Sequence, residues 1–275
     1  MLGLPTVGMH PSVERHNVDF SSLCDWIEAS VLFENETDEL SATEVLDVLT
    51  ETGVYVSQDF AWQIVSSAWG ELSRRLSWIG GATPIAVTRL SLRRLTNWRD
   101  APAHSFCLAL SLAKPYREWA RQFGADYNQQ GELFERLTKE AMEKLFPDWI
   151  IHATGWSRTR AVSLNRVVRE IVNLLREALG DVQRWTRNSA NEAGLDLLCY
   201  RPFHDGRIGI PVYLMQCASG GNWEGKLHTP NLRIWKKIVL FAADPKKAFA
   251  MPFARVDEDF IRECNLVVSH VAIDT

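Results

Sequence analysis

In the first third of the chain, apolar residues recur at helical spacing. In SSLCDWIEASVLF, Leu23, Trp26, Ile27 and Val31 share one face, with Ser21 or Ser22 in position to cap it. SATEVLDVLTETG sets Glu44 three residues after Ser41, the reciprocal capping pair, and stops at Gly53. SQDFAWQIVSSAWGELSRRL continues the helical period from about Ser57 to Leu76. The period then shortens to two. PIAVTRLSL and HSFCLALSLA predict two strands joined by the polar RRLTNWRDAPA. Residues 1–125 therefore read as a mainly helical module with a β-hairpin.

The pattern changes again at GELFERLTKEAMEKLFPDW. Phe134, Leu137, Ala141 and Leu145 fall within an arc of about 80° at helical steps, the signature of a helix docked on a sheet. Pro147 ends it. WIIHATG predicts a strand, and SRTRAVSLNRVVREIVNLLREALG a long helix from about Arg160 to Leu179, closed by Gly180. LDLLCY, PVYLMQ and KKIVLFAA predict three further strands, followed by a helix around Val256 to Cys264 and a last strand in NLVVSHVAI. Residues 126–275 thus form a second, α/β domain.

Composition narrows the class. With 46% hydrophobic and 23% charged residues the chain is that of an ordinary soluble globular protein. No leader-like start and no run of about 18 apolar residues appears, which points to a cytoplasmic protein with no membrane association. The five cysteines are scattered, without a CxxC pair or a histidine cluster, so neither a zinc site nor a disulfide framework is expected. They read as small buried hydrophobes. The net charge of −4 hides an asymmetry: residues 1–60 hold twelve acids and one base, residues 61–130 nine bases and four acids. The acidic start is either a surface for a partner protein or a solvated acidic helix pair, and the basic middle can hold a local phosphate-binding face.

Chemistry concentrates in LDLLCYRPFHDGRIGIPVYLMQCASGGNW. One strand begins after an acid, Asp196, and its neighbour ends in an amide, Gln216. Two strand ends carrying oxygen donors suit Mg²⁺, which takes few protein ligands and keeps waters and substrate phosphates for the rest. Glu135, beside Met142 and Phe146 on the flank of the preceding helix, completes a shell suited to attack of water on a phosphodiester. The bland alternatives are a turn aspartate, a hydrogen-bonded structural amide and a helix-surface glutamate. GxGxxG, Walker and G-x-S-x-G patterns are absent, so neither an ATP-driven reaction nor a serine hydrolase is indicated.

In this order, GELFERLTKEAMEKLF, WIIHATG, NEAGLDLLCY and PVYLMQCASG resemble the core of the PD-(D/E)XK nuclease superfamily, and most of all its Mrr-type restriction endonuclease branch. Gly131, Phe134 and Glu135 match the family's helix, Gly194 and Asp196 its acid strand, and Gln216 the amide variant of its third motif. The resemblance spans about residues 131–243. It implies an α/β fold with a restriction-endonuclease-like αβββαβ core and a Mg²⁺- or Mn²⁺-dependent DNA endonuclease of bacterial restriction or anti-phage defence. Asp196, Glu135 and Gln216 would bind the metal, and the carbonyl of Cys217 would complete the shell.

There are two departures. A long helix is inserted before Asp196, and Ala218 stands where the family places its lysine. Lys226, after the turn SGGNWEG, is the leading replacement, ahead of Lys139. Without one, the fold is a catalytically degenerate DNA-binding or structural subunit. Glu192 is either an extra acid of the site or a surface-loop residue. Arg158, Arg160, Arg166 and Arg169 with Trp156, and Arg89, Arg93, Arg94 and Arg99 with Trp98, are the candidate DNA contacts; solvated faces and core tryptophans are the alternatives. An RNA substrate and a homo-oligomer both stay open.

Overall fold

The computed structural model describes residues 1–9, 18–155, 163–185, 194–256, 261–262 and 270–274. The chain is mixed α/β and divides into two units: Met1–Ala125 with Phe253–Val256, and Asp126–Pro252 with Asp257–Thr275. Among the described residues no helix is long and apolar enough to cross a membrane.

The first unit opens with α1 (Phe20–Phe33), whose cap is Asp19, accepting from the Ser22 N–H, rather than either serine. After β1 (Glu39–Ser41), α2 (Ala42–Glu51) starts at the expected capping box: the Ser41 hydroxyl accepts from the Glu44 N–H, and Glu44 accepts from the Ser41 N–H. Ser41→Ala is expected to cost about 1 kcal/mol, read as a lower thermal midpoint. Helix α3 (Gln58–Ile79) is capped by Ser57.

PIAVTRLSL is not one strand but two, β2 (Ile85–Val87) and β3 (Ser91–Arg94). The Thr88 hydroxyl accepts from the N–H groups of Leu90 and Ser91 and turns the chain between them. These strands and β1 form an antiparallel sheet in the order β1-β3-β2.

HSFCLALSLA is helix α4 (Pro102–Leu112), not a strand. Pro102 sits in the first turn, where its missing N–H is harmless, and Leu and Ala are strong helix formers. Its alternation misleads because Ser105, Cys107, Leu108, Leu110 and Leu112 are all buried, a face too broad for either simple period. Helix α5 (Arg117–Phe123) follows.

The acidic surplus of this unit is in part internal. Asp25 and Glu28 of α1 are buried. The Arg75 Nη1 reaches Asp25 Oδ1 at 2.7 Å and its Nε reaches Glu71 Oε1 at 2.9 Å, while His104 Nε2 lies 2.7 Å from Glu28 Oε1. Burial raises the carboxyl pKa of Asp25, and the guanidinium of Arg75 and a hydrogen bond from Ser111 oppose that rise. Charges held out of water require such partners.

The second unit begins with α6 (Tyr127–Leu145), capped by Asp126. Its buried stripe is Phe134, Thr138 and Met142, whereas Leu145 is 61% exposed. The docking face is thus rotated toward Glu135 relative to the expected arc, because a threonine occupies its centre and hides it from a purely apolar pattern. Strand β4 (Ile150–Ala153) follows. Helix α7 (Leu164–Leu175) is shorter than expected and ends at Arg176, which takes the left-handed conformation (φ 57°), not at Gly180. Then come β5 (Ala178–Leu179), α8 (Val182–Trp185), β6 (Leu197–Tyr200), β7 (Val212–Cys217) and α9 (Trp223–Lys226).

KKIVLFAA is split between the end of α10 (Leu232–Ile238) and β8 (Val239–Leu240). Asn231 caps α10, accepting from the N–H groups of Arg233 and Ile234, and Trp235 and Ile238 are buried at helical spacing. Strand β9 (Lys246–Met251) and β10 (His270–Asp274) complete the main sheet; the expected helix at 256–264 lies largely outside the described residues.

The main sheet has the order β10-β9-β7-β6-β4. Strands β4, β6 and β7 pair antiparallel, and β7, β9 and β10 parallel. Leu198, Tyr200, Val212 and Leu214 join α7 and α10 in one apolar cluster. Their alternate neighbours point to the other face, where α6 packs on β4 and β7. Cys24, Cys107, Cys199 and Cys217 are buried, with no disulfide among the described residues.

Candidate active site

Asp196 and Gln216 meet because of register. Leu197 pairs with Met215, so the preceding residue of β6 lies opposite the next residue of β7, and the Asp196 N–H donates to the Met215 carbonyl at 3.0 Å. The Gln216 amide donates to Asp196 Oδ2, and the Cys217 N–H donates to the same oxygen at 2.6 Å. The amide also donates to the Cys217 carbonyl at 3.1 Å. On the other side its Oε1 accepts from the Thr229 hydroxyl at 2.9 Å. Gln216 is therefore buried with every polar atom engaged.

Glu135 approaches from α6. Its carboxyl pKa is pushed up to about 8, first by burial, then by the negative charges of Asp196 and Glu132, against the opposing pull of Lys226. Asp196 is pushed up to about 6 by burial, opposed by the Cys217 N–H and by Lys226. Asp196 and Lys226 thus both act on the Glu135 carboxyl, and Lys226 acts on Asp196 as well. The Cys217 thiol, which faces Thr138, has its pKa raised by burial and by both acids, so it stays protonated and is no nucleophile.

Beside Glu135 lies an open cleft of about 400 Å³ along α6 and the end of β4, lined by Gln129, Glu132, Arg136, Lys139, Ala153 and Gly155 among others. Lys139 pairs with Glu143 at 3.4 Å, not with Glu135. Ala218 is buried and donates its N–H to Ala250, with no polar side chain to offer.

Two residues outside the motifs hold Lys226 in place. The Thr229 N–H and hydroxyl both approach the Lys226 carbonyl, at 2.8 and 2.7 Å. The ammonium of Lys247, buried on β9, donates to the Leu227 carbonyl at 2.6 Å, and burial lowers its pKa to about 8. No spacing in the sequence marks either residue. The only signal is chemical: Lys247 adjoins the apolar run at residues 248–251, and an ammonium buried there needs a partner.

Of the candidate DNA contacts, Arg166 and Arg169 are exposed on α7, with Arg169 Nε bonded to Asn165 Oδ1 at 3.1 Å. Trp156, Arg158, Arg160 and Glu192 lie outside the described residues. In the first unit Arg89, Arg93 and Arg99 are exposed. Arg94 instead is structural, bonded to the Glu34 carbonyl at 2.6 Å and paired with Asp38. Trp98 is half-buried, edge-on to Phe33, with the Arg99 guanidinium 4.3 Å from its ring centre.

Among the described residues no three His, Cys, Asp or Glu side chains converge as a ready metal cluster. The oxygens gathered here come from two carboxylates and the Cys217 carbonyl, while the Gln216 Oε1 is turned toward Thr229 and not toward Asp196. No family model, curated protein or solved structure matches the chain.

Proposed function

We propose that the chain is a metal-dependent nuclease that hydrolyses DNA phosphodiester bonds, built on a restriction-endonuclease-like core and acting in bacterial restriction or anti-phage defence. The observation that carries this reading is the convergence of Asp196, Glu135 and Lys226, each acting electrostatically on the site, with Gln216 bonded to Asp196. Support also comes from the order of elements. A helix, three antiparallel strands, further helices and a parallel strand follow one another as α6, β4-β6-β7, α9-α10 and β9, apart from the inserted α7, β5 and α8.

The donors fit a hard divalent cation. Burial raises both carboxyl pKa values, and the Asp196 charge raises that of Glu135 further, so a cation would relieve the cost of ionising them; Asp196, Glu135 and the Cys217 carbonyl are oxygen donors, as Mg²⁺ or Mn²⁺ requires. When bound, such an ion supplies a water of lowered pKa and neutralises charge on the scissile phosphate. To hold such an ion, Glu135 would have to be deprotonated. Lys226 would serve where the family's lysine does, its ammonium acting electrostatically on both acids and stabilising charge that develops on phosphate. The cleft beside Glu135, with Arg136 and Lys139 on its wall, gives a nucleic-acid strand access.

A second reading, a degenerate nuclease fold that only binds, is favoured by the buried Ala218. Incubating the full chain with plasmid DNA and Mg²⁺ or Mn²⁺, with and without chelator, separates the two. Metal-dependent cutting is the expected result; DNA retention without cutting overturns the nuclease. Lys226→Ala is expected to slow cutting about 10- to 100-fold with metal affinity little changed.

A further inference from the structure

Thr229 has one hydroxyl hydrogen and two acceptors in front of it, Gln216 Oε1 at 2.9 Å and the Lys226 carbonyl at 2.7 Å. On its other side the Gln216 amide spends both hydrogens on Asp196 Oδ2 and the Cys217 carbonyl, two of the oxygens proposed to hold the cation. Turning the amide over removes the conflict at Thr229: its hydrogen goes to Lys226, and its oxygen accepts from the Gln216 NH₂. The same turn sets Gln216 Oε1 beside Asp196 and Cys217, where three oxygens repel one another unless a cation lies among them.

We infer that the Gln216 amide is a two-position latch, closed on Asp196 without metal and reversed when a divalent cation binds, and that Thr229 is the positioning residue that accepts the reversed amide. This inference rests on the metal-dependent reading of the site and names a residue outside its motifs. Space for the turn exists because position 194 is glycine. A Cβ there would lie 3.1 Å from Gln216 Oε1 and 2.6 Å from the Thr229 Cβ. In its closed position the latch donates to Asp196 and to the Cys217 carbonyl and so offsets part of the repulsion among these oxygens, and it makes cation entry depend on one hydroxyl.

The test is Mn²⁺ affinity of the full chain by titration calorimetry. Wild type binds and Asp196→Asn does not, if the metal-dependent reading holds; a wild type that fails to bind overturns that reading and the latch with it. Given binding, Thr229→Val is expected to weaken affinity about tenfold and Thr229→Ser to restore it, the scale of one lost hydrogen bond. In a Gln216→Glu background, where the two oxygens are equivalent and nothing must turn, Thr229→Val is expected to cost less than about threefold. Equal losses in both backgrounds, or none in either, overturn the latch while leaving the metal site standing. Independently of any folding defect, Mg²⁺ is expected to shift the Gln216 side-chain NH₂ resonance in otherwise unaltered ¹⁵N-glutamine-labelled protein. A resonance that stays in place overturns the latch.

Discussion

Asp196→Asn is expected to abolish metal-dependent cleavage, by at least about a hundredfold, and at the same time to stabilise the protein at pH 8. The two effects share a cause. Burial raises the Asp196 carboxyl to about 6 and the Glu135 carboxyl to about 8, so the folded state binds these protons more tightly than the unfolded chain does. Groups raised in this way favour folding fully below their unfolded values, near pH 4, and that contribution is lost as pH rises through 6 for Asp196 and 8 for Glu135. Above pH 8 both charges are held at a cost, and a neutral amide at position 196 removes one of them. One oxygen of the asparagine remains to accept from the Cys217 N–H.

With some solvent access at the site, the gain at pH 8 is on the order of 1–2 kcal/mol, or about 2–6 °C in thermal midpoint, and vanishes near pH 4. Glu135→Gln is expected to behave in the same sense, its gain growing as pH rises from about 4.5 and levelling off above about 8. Thermal melts across pH 4–9, set beside cleavage rates, check both. A variant that loses cleavage and stability together at pH 8 would mark these acids as structural. The wild type, for its part, is expected to bind Mg²⁺ more tightly at pH 8 than at pH 6, because Glu135 must shed its proton.

What the sequence made legible was local. Ser41 with Glu44 and Ser57 announced two helix starts because a cap is read within four residues. Asp196 and Gln216 stood out because a charged or amide group at the end of an apolar strand is expensive unless it has a task or a partner. The misreadings arose where burial, a tertiary quantity, reshaped the pattern. α4 is buried over so broad a face that its leucines look alternating, and α10 hides its Trp235–Ile238 spacing inside a run of strand-forming residues. Thr229 and Lys247 carried no local signal, since their hydrogen bonds cross from one segment to another and exist only once the sheet has formed.

Gly194→Ala is expected to damage the site more broadly than the loss of either acid. Gly194 has φ +47°, in the left-handed region where a Cβ costs on the order of 1 kcal/mol. The steric demand is larger. The added carbon would sit 2.6 Å from the Thr229 Cβ and 3.0 Å from its Cγ2, and neither the backbone beside Asp196 nor a β-branched side chain can give way by simple rotation. Something must therefore shift, and each available shift breaks a bond of the site. Moving Thr229 loosens the Lys226 carbonyl and Gln216 Oε1, and moving residue 194 drags Asp196 away from the Cys217 N–H.

The expected outcome is a destabilisation of about 2–3 kcal/mol with loss of cleavage and of Mn²⁺ binding. Thr229→Gly in the same chain removes the clashing carbons and is expected to recover part of the stability, while leaving affinity low because the hydroxyl is gone. Thermal melts and Mn²⁺ titrations of the single and double variants read the two effects apart. If Gly194→Ala binds and cuts like the wild type, the tight packing of residue 194 against Thr229 and Gln216 is not what holds the carboxylate and the amide together.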